Sequence, residues 1–204
     1  LENGYDVVAP FMFNHGERLS NIAGLLSLAG TTLEWFEVKK VTSIIDFITS
    51  SKKYGGNPIG VYGISGGGRI AIYATAIDMR IKSVVSSGIV QDTTKSLLDY
   101  ASRRGGFVRE NYSMRFHYYV PKAPFYMKYT FASISELIVP RPLRVECGSN
   151  DKILFEYGIK NQCNKIQDLY LNNNCIDNFS FSVHPGGHEA NPGGTLNWFK
   201  NNLQ

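Results

Sequence analysis

Pro58-Ile59-Gly60-Val61-Tyr62-Gly63-Ile64-Ser65-Gly66-Gly67-Gly68-Arg69-Ile70-Ala71-Ile72-Tyr73-Ala74 passes from a short β-rich run, Ile59 to Tyr62, into a helix-like run from Arg69 to Ile77. Between them Gly63-Ile64-Ser65-Gly66-Gly67 fits G-x-S-x-G. A serine on so tight a turn from strand to helix needs strained backbone angles, and flanking glycines leave room for the close approach. The turn lifts the hydroxyl above the sheet. It also aims the Gly66 N–H and the helix N-terminus at a developing oxyanion. The plainer reading is a glycine-rich turn with an incidental serine; a strand before and a helix after favour Ser65 as a nucleophile.

Two other glycine motifs fail on this stretch. A phosphate-binding loop wants Lys followed by Ser or Thr after its last glycine, where this chain has Arg69-Ile70. A dinucleotide fingerprint forced onto Gly66, Gly68 and Ala71 would put the glycines on the helix instead of in the turn. It would also need an acidic residue ending the next strand, and Val84-Val85-Ser86-Ser87-Gly88 ends in glycine.

Working outward, Tyr5-Asp6-Val7-Val8-Ala9-Pro10 reads as a strand stopped by proline, and Phe11 to Leu19 as a loop holding His15. Thr32 to Ser50 is the clearest helix. Its apolar residues Leu33, Phe36, Val38, Val41, Ile44, Ile45 and Ile48 recur at helical steps and predict one buried stripe. Ile81 to Ser87 reads as the strand after the elbow helix. Further on, Ile134 to Ile138 reads as a short helix, Leu143 to Cys147 as a strand and Phe155 to Leu171 as a helix. Phe179 to Val183 is then a strand, and Thr195 to Leu203 a closing helix. The alternation predicts an α/β fold with a mostly parallel sheet of about five strands and helices on both faces. Sites in such sheets form beyond the carboxyl ends of the strands, where Ser65 would lie.

Residues 91–131 break the rhythm. From Tyr112 to Phe131 aromatic residues interleave with Arg115, His117, Lys122 and Lys128. Aromatic and basic interleaving can stack single-stranded nucleic acid. In this setting a cap or loop insertion lining a substrate pocket, or rings packed beneath a long connection, fits better.

The 204 residues suit one domain, and a net charge of +4 spread along the chain disfavours nucleic acid as a partner. Apolar runs are too short for a membrane span. Cys147, Cys163 and Cys175 are an odd number without framework spacing, so reduced thiols in a cytoplasmic protein are the simplest account, with secretion the alternative. The chain opens on Leu1 and runs straight into a predicted strand, so the expectation is that the protein's start is missing.

A serine hydroxyl needs a base, and the base a carboxylate that holds its tautomer. His188, in the loop Pro185-Gly186-Gly187-His188-Glu189 after the last strand, is the predicted base. His184 at the strand end reads as structural, and His15 and His117 as loop residues. Asp151, in Gly148-Ser149-Asn150-Asp151 after the fourth strand, is the predicted acid, with Asp92 its competitor. Ser65, Asp151, His188 is the triad order of one hydrolase fold.

With these residues in place the chain resembles the α/β-hydrolases, within them the acetyl xylan esterase and dienelactone hydrolase-like branch. The likeness rests on Gly30-Thr31-Thr32-Leu33-Glu34-Trp35, the elbow, Asp78-Met79-Arg80-Ile81-Lys82, Ile138-Val139-Pro140-Arg141-Pro142-Leu143, Gly148-Ser149-Asn150-Asp151 and Pro185-Gly186-Gly187-His188-Glu189. Gly16-Glu17-Arg18 resembles a loop segment of these esterases. The resemblance implies Ser65 as nucleophile, Asp151 as acid, His188 as base and Gly66 N–H in the oxyanion hole. It also implies a small-molecule ester substrate of short, acetyl-like acyl group and no metal or organic cofactor. Substrate-binding residues and oligomeric state are not specified by it. The fold normally carries further strands before Tyr5, with a loop that donates the second oxyanion N–H, so an N-terminally incomplete single domain is expected. A serine peptidase of the same fold and a non-catalytic truncated scaffold are the alternative readings.

Overall fold

Ile59–Ile64 (β1), Ile81–Ser87 (β2), Leu143–Gly148 (β3) and Phe179–His184 (β4) lie side by side, all parallel, in the order β1-β2-β3-β4. The computed structural model describes residues 3–12, 17–92, 125, 128–152 and 156–203, with the backbone alone for 17–21, 156 and 157. Parallel neighbours need crossovers, and each crossover carries a helix: Gly66–Ile77 (α3), Phe131–Ser135 (α4) and Glu156–Asn172 (α5). Two further helices, Glu17–Leu28 (α1) and Leu33–Ser50 (α2), precede β1, and Pro192–Asn202 (α6) ends the chain.

The two faces of the sheet differ in chemistry. On one, α3 and α5 cover Val84, Leu143, Val145 and Cys147, with Ile72, Ile159, Cys163, Ile166 and Tyr170 closing an apolar core. Helix α2 adds Val38 and Ile45 against Ile70, Ala74 and Ile81. On the other face α6 lies over a polar set. Glu146 is fully buried, accepting from Arg144 Nε at 3.1 Å and from Thr195 Oγ1 at 3.2 Å, and Trp198 Nε1 donates to Ser83 Oγ at 3.1 Å. Gly60 lets α6 sit this close: a Cβ there would lie 2.8 Å from Phe199 Cε1. Helices on both faces of a parallel sheet are what the sequence predicts.

The long helix begins where its cap dictates. Thr32 is the N-cap, its hydroxyl accepting from Trp35 N. Its buried face departs from the predicted stripe: Leu33, Glu34, Glu37, Val38 and Ile45 are buried, while Phe36 is 41 % exposed. The two glutamates go inside because each meets a cation, Arg69 at 3.5 Å and Lys40 at 2.8 Å.

Four further expectations are corrected. Tyr5–Pro10 forms no strand, so the sheet has four strands among the described residues. Its β-like composition is real, but a strand exists only where a ladder accepts it, and Val7 and Val8 stay exposed. Phe11 to Leu19 is not loop throughout, since α1 starts at Glu17. The short helix before Pro140 starts earlier than predicted, at Phe131, because Thr130 caps it by accepting from Ser133 N. The closing helix likewise starts earlier, at Pro192 after the N-cap Asn191.

At the amino-terminal end of the sheet Arg141 is buried. Nη1 donates to the carbonyls of Asp78 (2.9 Å) and Ile81 (3.1 Å), Nη2 to Leu137 (2.9 Å) and Nε to Ile138 (3.3 Å). Tyr170 donates its hydroxyl to the Arg141 carbonyl at 2.6 Å. Burial lowers the Arg141 pKa, and Arg80, bound to Asp78 through Nε and Nη2, holds the Asp78 carboxyl below its usual range. The expected cap or insertion at 91–131 falls largely on residues 93–124, 126 and 127, outside the described residues, as do His15 and His117.

Candidate active site

The register brings the strand ends level. Ile64 pairs with Ser87, Ser87 with Glu146 and Gly148 with His184, so the residues that follow β1 to β4 emerge along one edge. Ser65 is the first residue past β1. Its backbone has φ 55 and ψ −124, a conformation that non-glycine residues rarely adopt, held by a hydrogen bond from Ser65 N to Ser87 O at 2.8 Å.

The glycines around it have unequal work. A Cβ on Gly63 would stand 2.2 Å from Gly67 O, and one on Gly68 would meet Ser86 Oγ at 2.9 Å and Gly63 O at 3.0 Å. Gly67 itself has open space where a Cβ would be. Thus Gly63 and Gly68 allow strand and helix to touch, and the second glycine of the motif contributes its carbonyl. Helix α3 starts at Gly66, so the Gly66 N–H belongs to the first turn, whose donors have no partner within the helix. Arg69, one turn further along α3, is buried against Glu34 of α2 and ties the elbow helix to its neighbour.

The other two predicted residues meet. His188 Nδ1 lies 2.7 Å from Asp151 Oδ2, across the loops that follow β3 and β4. The Asp151 side chain is 1 % exposed and that of His188 23 %, so the carboxylate is sealed and the ring is partly exposed, with its Nε2 buried. With Nδ1 engaged by the carboxylate, Nε2 is the free basic nitrogen. It has no hydrogen-bond partner among the described residues. Asp92, the competitor in the sequence, is placed against α5, where its backbone N–H donates to Gly158 O.

Two glycines that the sequence reading did not single out set this pair. Gly88, at φ +64, follows β2, and a Cβ on it would lie 3.1 Å from His188 Cε1 and 3.7 Å from Asp151 Oδ2. The imidazole therefore packs on the residue next to Ser87, whose carbonyl fixes Ser65. Gly148 ends β3, and a Cβ there would stand 2.1 Å from Gly187 O. The available signal was a glycine at the carboxyl end of a buried strand, where backbone approaches backbone. His184, read as structural, packs its ring against Gly186.

No family model and no curated protein matches the sequence. Solved structures match in shape. The esterase Pf2001 of Pyrococcus furiosus superposes with a TM-score of 0.57 at 13 % identity, over 82 % of this chain and 62 % of that one. A glucuronoyl esterase from Solibacter usitatus gives 0.56 at 16 %, over 80 % and 47 %. A cold-adapted esterase from an Arctic intertidal metagenomic library gives 0.55 at 16 %, over 88 % and 63 %. The chain has the α/β-hydrolase fold, which these esterases share, and it spans 47 % to 63 % of their lengths. Among the described residues no helix is long and apolar enough to cross a membrane, and no group of His, Cys, Asp and Glu could hold a metal ion.

Proposed function

We propose that the protein is a serine hydrolase of carboxylic esters, working through an acyl-enzyme on Ser65. The observation that carries this reading is the 2.7 Å His188–Asp151 pair, packed on Gly88 one residue beyond the carbonyl that fixes the strained Ser65 backbone. His188 Nε2 takes the Ser65 proton as Oγ attacks the ester carbonyl, while Asp151 holds the imidazolium. Gly66 N–H donates to the oxyanion of the tetrahedral adduct. The adduct collapses by breaking the bond to the leaving oxygen, which receives the proton from His188. Water then gives a proton to His188 and attacks the acyl carbon, and collapse releases the acid and returns the proton to Ser65. The reaction balances as ester plus water to acid plus alcohol, and none of its steps calls for a metal or an organic cofactor.

The fold-sharing structures are esterases, which supports ester over amide as the substrate bond. A short acyl group, with acetyl the first to try, follows from the sequence resemblance. The test is labelling with a fluorophosphonate probe followed by peptide mapping, beside turnover of acetyl, butyryl and peptide substrates. Adduct on Ser65, with acetyl ester turned over faster than the others, is the expected result. Labelling without ester turnover but with peptide cleavage would make it a peptidase, and no adduct at all would make it a non-catalytic scaffold.

A further inference from the structure

The loop that carries His188 has a problem of its own. It leaves β4 at His184, passes Pro185 and then two glycines, and must still present the ring to Asp151 across the gap between strands. A Gly-Gly pair is the freest backbone a chain can have, so the peptide just before the base needs outside fixing. The inner side is provided by the β3 loop: Ser149 N donates to His184 O at 2.8 Å, Asn150 N donates to Gly186 O at 2.9 Å, and Gly148 abuts the Gly186 and Gly187 carbonyls.

The outer side is provided by Glu189. Its Oε1 accepts from Gly187 N at 3.1 Å, folding back over the residue that separates them. The same oxygen lies 2.2 Å from where a Cβ on Gly186 would be, so Gly186 must lack a side chain for the carboxylate to sit there. The carboxylate's position thus depends on the missing side chain at Gly186, and His188 is the residue enclosed between the clasp's two ends.

We propose that Glu189 is a positioning residue for His188. Its side chain closes the Gly186-Gly187-His188 loop by holding the Gly187 N–H, and so sets the aim of the imidazole without touching a reacting atom. The inference rests on the hydrolase reading above. It goes beyond it in assigning a task to a side chain outside the triad and the oxyanion hole. A displaced general base loses rate steeply, because proton transfer needs hydrogen-bond reach and alignment.

The test compares Glu189→Ala, Glu189→Gln and Ser65→Ala with the wild-type chain on p-nitrophenyl acetate, with thermal unfolding as the fold control. Glu189→Ala is expected to lower kcat about tenfold with KM within about twofold, and to slow fluorophosphonate labelling of Ser65 in step. Glu189→Gln keeps an acceptor oxygen for Gly187 N–H and is expected to recover kcat to within about threefold of wild type. A Glu189→Ala enzyme with unchanged kcat overturns the clasp, as does Glu189→Gln failing as badly as Glu189→Ala. Turnover that survives Ser65→Ala overturns the hydrolase reading and the clasp with it. Loss in Ser65→Ala beside normal Glu189→Ala kinetics sinks the clasp alone.

Discussion

At the amino-terminal end of the sheet the Arg141 guanidinium spends its donors on the carbonyls of Asp78, Ile81, Leu137 and Ile138, and Tyr170 bonds the Arg141 carbonyl in return. At the carboxyl end, the same strands deliver a serine at φ 55 and a histidine whose Nε2 has no partner among the described residues. At the first end each guanidinium nitrogen of buried Arg141 has a carbonyl partner, as interiors require. The other keeps strain and an unengaged base where a ligand would complete them. On the proposed reading, stability and chemistry fall at opposite ends of one sheet and are expected to be separable by mutation.

The separation can be broken or sharpened in four ways, from the largest effect down. Asp151→Asn replaces the carboxylate with a neutral amide that can donate to His188 Nδ1 and so favour the wrong tautomer, and is expected to lower kcat by about 10⁴ while leaving the unfolding midpoint nearly unchanged; steady-state kinetics beside a melting curve checks both halves. Arg141→Ala does the reverse. It strips donors from buried carbonyls and is expected to cost about 3 kcal/mol of stability by denaturant titration, with kcat of the folded fraction preserved. A large loss of kcat at full stability there would break the comparison.

Gly88→Ala sits at the seam. The methyl would take a left-handed position, at a cost of about 1–2 kcal/mol, and would stand 3.1 Å from His188 Cε1. Both stability and kcat are expected to fall, the latter by about tenfold. Asp78→Asn is the smallest. Because Arg80 lowers the folded-state pKa of Asp78, the wild-type carboxylate adds stability that is full above its unfolded value near 3.8 and is lost as pH falls through the lower folded value. The wild-type advantage in unfolding midpoint over Asp78→Asn should therefore be full at neutral pH, begin to shrink as the pH falls below about 4 and vanish only once it passes the lower folded-state value.

How legible each part was in the sequence follows the range of the interactions involved. The elbow was readable because its demands are local: Gly63 faces Gly67 only four residues on, and Ser65 carries the strained φ. Thr32 was read as the start of the long helix, and its cap closes within three residues. His188 and Asp151 could be placed after strands by chain order, but their 2.7 Å contact spans two loops and needed the structure. Tyr5–Pro10 misled because a strand's existence depends on a distant ladder. Glu34 and Glu37 lay outside the predicted apolar stripe because a buried carboxylate is made tolerable by a partner, and Arg69 lies 35 residues from Glu34. Gly88 and Gly148 were silent for the same reason, since each is required by a loop from another part of the chain.

The most direct measurement is p-nitrophenyl acetate hydrolysis by the wild-type chain and by Ser65→Ala on matched, folded samples. The account predicts turnover by the wild type and a loss of about 10⁴ or more in the variant. Equal rates in the two would contradict it, because the strained Ser65 and the His188–Asp151 pair would then be scaffold without chemistry.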